Sequence, residues 1–151
     1  MITEVEILLV EDNSADEELT LLALQENGIA NRIHVARDGE EAQDFLFARG
    51  AYAGRANERL PKVVLLDLKL PKVDGLQVLE AIRADPRTRM IPVVILTSSR
   101  EDRDRISGYT AGVNSYIQKP VDFQQFREVV RELGMYWMVV NVPPPQGGGG
   151  D

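Results

Sequence analysis

Cysteine is absent from the chain, which excludes disulfide scaffolds, thiolate metal sites and thiol nucleophiles. Histidine is scarce as well. His34 is the only one, and among Ile33 and Val35 it reads as a satisfied strand residue rather than a phosphohistidine or a metal ligand. No apolar run approaches the roughly 20 residues that a membrane span requires. The opening MITEVEILLVEDN lacks a basic region followed by a long apolar stretch, so no signal peptide is expected and a cytoplasmic location is. Positive charge is in short supply: 17 Lys and Arg stand against 24 Asp and Glu, a net charge of −7. The basic residues are also scattered, which argues against nucleic-acid binding, because neutralising phosphates takes clustered Lys and Arg.

What is present suits one soluble domain. A length of 151 residues, 44% hydrophobic and 27% charged, can bury a core without staples. Five short apolar runs are rich in β-branched residues: Val5–Val10, Ile33–Ala36, Val63–Leu66, Val93–Leu96 and Ser115–Gln118. VVLLD and PVVILT are apolar on both pleat faces, as strands are when a parallel sheet is covered by helices on both sides.

Helical patterns lie between the runs. Asn13–Ser14 can cap a helix carrying Leu19, Leu22 and Leu24 that ends near Asn27–Gly28. Asp38–Gly39 opens another with Ala42, Phe45 and Leu46 inward, and Asp74–Gly75 a third with Leu76, Leu79 and Ile82, stopped at Asp85–Pro86. A fourth, weaker helix is expected over Glu101–Ala111, where Gly108 costs about 1 kcal/mol relative to Ala. The fifth starts at Asp122, with Phe123, Phe126, Val130 and Leu133 on one stripe. The alternation predicts an α/β fold, a parallel doubly wound sheet with right-handed crossovers. One domain is expected over 1–140, with 141–151 as a disordered tail, because PPPQGGGGD cannot bury apolar surface.

Ligands of doubly wound sheets sit beyond the carboxyl ends of the strands. There the first strand delivers Glu11–Asp12, the third Asp67, the fourth Thr97–Ser98 and the fifth Lys119–Pro120. Each has a bland alternative. Glu11–Asp12 suits a helix start, Thr97 a strand-end cap, and Lys119 a solvated surface. Asp67 is harder to dismiss, since a carboxylate ending an apolar strand is expensive without a role. Together, three carboxylates at ~5 Å and an effective dielectric of ~20 repel by about 3 kcal/mol per pair. A divalent cation with oxygen ligands relieves this, and Mg²⁺ suits it better than zinc or copper. Such an ion would let Asp67 act as an oxygen nucleophile toward phosphorus, with Thr97 and Lys119 as partners for phosphoryl oxygens.

These residues, carried in ILLVEDN, VVLLDLKLPKVDG, VVILTSS and SYIQKP, make the chain resemble the response-regulator receiver domains of two-component signalling, over roughly Glu6 to Leu133. The resemblance implies a flavodoxin-like sheet of order 2-1-3-4-5 with five helices. It implies that Asp67 is the phosphoacceptor for a sensor histidine kinase. Mg²⁺ would be held by Glu11, Asp12, Asp67 and the backbone carbonyl of Lys69, and the phosphoryl group by Thr97, Ser98 and Lys119. Thr97 and Tyr116 would be the switch pair, the hydroxyl moving in as the ring turns inward, and Lys119–Pro120 a cis peptide. The long Gly50–Pro61 connection and the YWMVV segment resemble a narrower group, the single-domain regulators that partner bacterial phytochrome kinases.

Such a protein is a regulator rather than an enzyme, catalysing only its own phosphoryl transfer and slow dephosphorylation, and no second domain is expected after the fifth helix. Met135, Tyr136, Trp137, Met138, Val139 and Val140 are apolar all round, which points to a homodimer contact or docking site; the alternative is a helix end folded over its own core. Two rivals remain. An aspartyl-phosphate phosphatase commonly places a second acid where Lys69 stands, and an FMN binder needs a phosphate-cradling first loop where EDNSAD is acidic.

Overall fold

In the computed structural model, residues 6–29, 32–98 and 115–132 are described. Five parallel strands form one sheet in the order β2-β1-β3-β4-β5: β1 Ile7–Val10, β2 Ile33–Ala36, β3 Val63–Asp67, β4 Val93–Thr97 and β5 Ser115–Gln118. This is the flavodoxin-like order. Among the described residues, four α-helices connect or flank them: α1 Ser14–Glu26, α2 Gly39–Phe47, α3 Gly75–Ala84 and α4 Phe123–Glu132. The helix expected over Glu101–Ala111, Ser99 after the fourth strand, Leu133 and the apolar Met135–Val140 segment lie outside the described residues.

The sheet splits its side chains between two cores. Leu8, Val10, Val64, Leu66, Val93 and Ile95 point to one side, where they meet Phe45 and Leu46 of α2 and Leu79 and Ile82 of α3. Ile7, Leu9, Val63, Leu65, Val94 and Leu96 point to the other, against Ala23 and Leu24 of α1 and Phe126 and Val130 of α4. The period of two along each strand makes this division. All four residues of β1 and all five of β3 and β4 are buried. At about 1.5–3 kcal/mol for each large aliphatic side chain, the three central strands dominate the folding free energy.

Helix starts follow the expected caps. Asn13 accepts from the Asp16 N–H at 2.9 Å, and Asp38 from the Glu41 N–H at 2.7 Å. Asp74 and Gln77 form a complete capping box at α3. In α1 the expected leucines divide: Leu24 is buried, but Leu19 and Leu22 are 38% and 48% exposed. The inward face is set by Thr20, Ala23 and Leu24, and a helix turning 100° per residue carries Leu19 and Leu22 off it.

The long connection from Gly50 carries an element of its own. It forms a 3₁₀ helix, Gly50–Arg55, whose Tyr52 and Arg55 sit on the Phe45 ring, at 5.3 Å between ring centroids and 3.7 Å from guanidinium to centroid. Gly75 marks a different demand. A Cβ there would lie 2.5 Å from the Asp67 carbonyl oxygen, so only glycine lets α3 start directly beneath the end of β3.

Candidate functional site

Parallel register brings the strand ends together. Val10 pairs with Leu66 and Asp67 with Leu96, so the residues that follow β1 and end β3 emerge side by side. Glu11, Asp12 and Asp67 each offer an oxygen, and the three oxygens lie within 4.8 Å of one another. Glu11 is fully buried and Asp67 nearly so, while Asp12 is exposed.

Lys119 closes the group. Its Nζ lies 2.9 Å from Glu11 Oε1, 3.0 Å from Asp16 Oδ2 and 3.1 Å from Asp67 Oδ2, with a side chain only 10% exposed. The backbone fixes it there: the Lys119 N–H donates to the Thr97 carbonyl at 2.7 Å, and the Lys119–Pro120 peptide is cis. Thr97 is buried at the end of β4, Ser98 is exposed beside it, and the Lys69 N–H donates to Asp67 Oδ1 at 3.2 Å. Tyr116 on β5 is 42% exposed, its ring outward.

The charges are unbalanced. Burial pushes the Glu11 carboxyl up to about 7; the Lys119 hydrogen bond pulls it back and the Asp67 charge adds to the rise. For Lys119, burial alone would favour the neutral amine. Contacts with Glu11, Asp67 and Asp16 outweigh that and hold the amine charged. Glu11 Oε1 is buried without a hydrogen bond, its approach to Lys119 being close but poorly aligned. A buried carboxylate oxygen left unsatisfied is costly unless something binds it. An all-oxygen cluster of three acids with such an atom fits a hard divalent cation.

Of the residues expected at the site, Glu11, Asp12, Asp67, Lys69, Thr97, Ser98 and Lys119 lie at this edge, while Tyr116 sits within β5, paired with Ile95. One that was not expected joins them: Asp16, on the first turn of α1, which touches Lys119. Nothing in the sequence linked it to a residue 103 positions away.

Comparison with known proteins gives the same answer. The response regulator receiver domain family matches residues 7–131. The chain is 45% identical over 138 residues to the "Probable methanogenesis regulatory protein FilR2" of Methanothrix harundinacea (strain 6Ac), covering 91% of this chain and 86% of that one. It is similar to the solved structure of the bacteriophytochrome response regulator RtBRR, with a TM-score of 0.85, 49% identity and coverage of 94% of this chain and 85% of that one. It is also similar to the Mn²⁺-bound form of response regulator Rcp1, with a TM-score of 0.71, 37% identity and coverage of 89% and 94%. With this match over nearly the whole described chain, the protein belongs to the response regulator receiver domain family, the regulators of two-component systems.

Proposed function

We propose that the chain is a phosphoacceptor switch in which Asp67 takes a phosphoryl group from the phosphohistidine of a sensor histidine kinase. One observation carries the proposal: a carboxylate ending a wholly buried strand, within metal-ligand reach of two more acids and 3.1 Å from a buried ammonium. A carboxylate oxygen of Asp67 attacks phosphorus, a P–O bond forms, the P–N bond breaks, and the imidazole leaves as the returned histidine. Mg²⁺ held by Glu11, Asp12, Asp67 and the Lys69 carbonyl would supply charge neutralisation at the developing phosphoryl oxygens. Thr97, Ser98 and Lys119 supply donors to that group.

The output is a surface change. Phosphorylation brings a charge of about −2 at pH 7 and new acceptor oxygens. Thr97 would follow the phosphoryl group, and Tyr116, now outward, would turn inward to fill the space behind it. The likeness to RtBRR, itself a bacteriophytochrome response regulator, favours a phytochrome-type kinase as the donor in the cytoplasm. Met135–Val140 would hold two copies together, since its apolar residues exceed what one face can bury. Light scattering on the full chain and on a chain ending at Leu133 reads that last point; a dimer surviving truncation would refute it.

Intact mass after incubation with acetyl phosphate and Mg²⁺ tests the chemistry. The expected result is one added phosphoryl group, absent in Asp67→Asn and without Mg²⁺. A gain that persists in Asp67→Asn would place the modification elsewhere and refute the assignment.

A further inference from the structure

We propose that Asp16 is a positioning residue that restrains Lys119 and so weakens the site's grip on a phosphoryl group. The proposal rests on the phosphoacceptor reading and adds to it a residue outside the acidic cluster. An ammonium has three N–H donors. In Lys119 they face Glu11, Asp16 and Asp67, at 3.0, 3.0 and 3.1 Å. A phosphoryl oxygen can bind Lys119 only by taking a donor from one of them.

The three competitors are not equivalent. Glu11 and Asp67 belong to the group that can hold a cation, and a bound metal would compete with the ammonium for their oxygens. Asp16 is on α1 and not among those ligands, so a metal would not compete for the oxygen it turns to Lys119. Its own negative charge also repels the incoming group.

Local structure shows why Asp16 is available for this. It occupies the third position of α1, where the longer Glu or Gln would reach back to the N-cap backbone N–H to complete a capping box. That donor is already taken: the Asn13 N–H bonds Glu11 Oε2 at 3.2 Å. At α3 the equivalent Gln77 does reach back to Asp74, at 3.1 Å. With the Asn13 donor occupied, the Asp16 carboxylate turns to Lys119 instead.

Removing Asp16 has two opposed effects. It loses a support for Lys119, and it frees a donor while deleting a repulsive charge. The side chain of Lys119 is 10% exposed and its backbone N–H donates to the Thr97 carbonyl at 2.7 Å, so it keeps its place without Asp16. Asp16 is 27% exposed, which moderates its charge but does not cancel it. The electrostatic effect wins.

The test is titration of the full chain with beryllofluoride in saturating Mg²⁺, followed by ¹⁹F NMR, alongside Mg²⁺ alone by calorimetry. Asp16→Asn should bind beryllofluoride about three- to tenfold more tightly, the reach of one partly exposed charge. Its Mg²⁺ affinity should fall rather than rise, by no more than a similar factor, since Asp16 contributes only its charge and is not a metal ligand. Asp16→Glu, which keeps the charge, should stay near the parent. Should Asp16→Asn prove unfolded by circular dichroism, Asp16→Ser makes the same comparison. Equal or weaker beryllofluoride binding in the charge-deleted variant overturns the role of Asp16 while leaving the phosphoacceptor reading intact. A parent that binds Mg²⁺ but no beryllofluoride overturns both.

Discussion

Two polar clusters in this molecule are built from similar parts and serve opposite ends. At the carboxyl edge of the sheet, Glu11, Asp16 and Asp67 share one ammonium with Asp12 close by, and Glu11 Oε1 has no hydrogen bond. Along β2, His34 Nε2 lies 3.0 Å from Tyr52 Oη, and the Tyr52 hydroxyl donates to Glu41 Oε2 at 2.6 Å. The other Glu41 oxygen accepts from the Arg37 N–H at 2.9 Å. His34 stacks on Phe45 at 4.4 Å, and Arg55 covers the same ring at 3.7 Å while pairing with Glu58 at 2.8 Å. The second cluster leaves no buried side-chain polar atom without a partner and pins the 3₁₀ helix to the sheet. The first is left short of positive charge. Buried polar groups stabilise when their partners are complete, and an incomplete set is where a ligand finds binding energy.

The largest effect that separates the two is expected at Phe45. The ring is 2% exposed and is the surface on which His34, Tyr52 and Arg55 assemble. Phe45→Ala should cost about 3–5 kcal/mol in urea unfolding. Phosphoryl uptake from acetyl phosphate, counted per folded molecule, should be unchanged. A loss of uptake from folded protein would mean that the two clusters are coupled, and the comparison would fail.

Asp12→Asn should give the opposite pattern at smaller size. Asp12 is exposed and adds negative charge to the acidic group. Its neutralisation should weaken Mg²⁺ binding by about tenfold or more, about 1.4 kcal/mol. Without metal, the same change should raise stability by a few tenths of a kcal/mol, as expected for relief of exposed charge repulsion. Calorimetric titration and thermal melting in chelator read both numbers. A variant less stable than the parent in chelator would show that the acidic group is not strained.

The difference between the clusters also sorts what the sequence could tell. The central strands were legible because VVLLD and VVILT are apolar on both faces, and only a sheet covered on both sides buries such runs. Asp67 and Lys119 were legible because a strand end is a place, and a charge at the end of a buried strand is unusual. Leu19 and Leu22 misled because three leucines in one turn-and-a-half cannot all face the same way, and small residues, Thr20 and Ala23, took the inner positions. The 3₁₀ helix was hidden for a related reason. The segment was legible only as a long connection, and what orders it is tertiary: Tyr52 and Arg55 clasping a ring on α2. Asp16 was invisible because its partner lies at the far end of the chain. Local pattern reports elements well and reports pairings across the fold poorly.

The smallest predicted effect concerns acid. Burial lowers the pKa of His34; Glu41, facing it from α2, favours the charged ring, whereas Arg55 from the 3₁₀ helix opposes it and Tyr52 occupies its Nε2. Above the unfolded value near 6.5 the imidazole is neutral in both states, and its cluster contributes fully. As pH falls below that value the unfolded chain takes up a proton that the folded chain resists, so the unfolded state gains. Stability contributed by His34 is therefore present at neutral pH and lost as pH falls through the folded value. Urea unfolding of the parent and of His34→Gln at pH 8 and at pH 5 isolates this from other titrating groups, Glu11 among them. The advantage of the parent over the variant should shrink at pH 5. Should it grow instead, the Glu41 charge would outweigh burial, and the β2 cluster would be held by an ion pair like the one at Lys119 rather than by neutral packing.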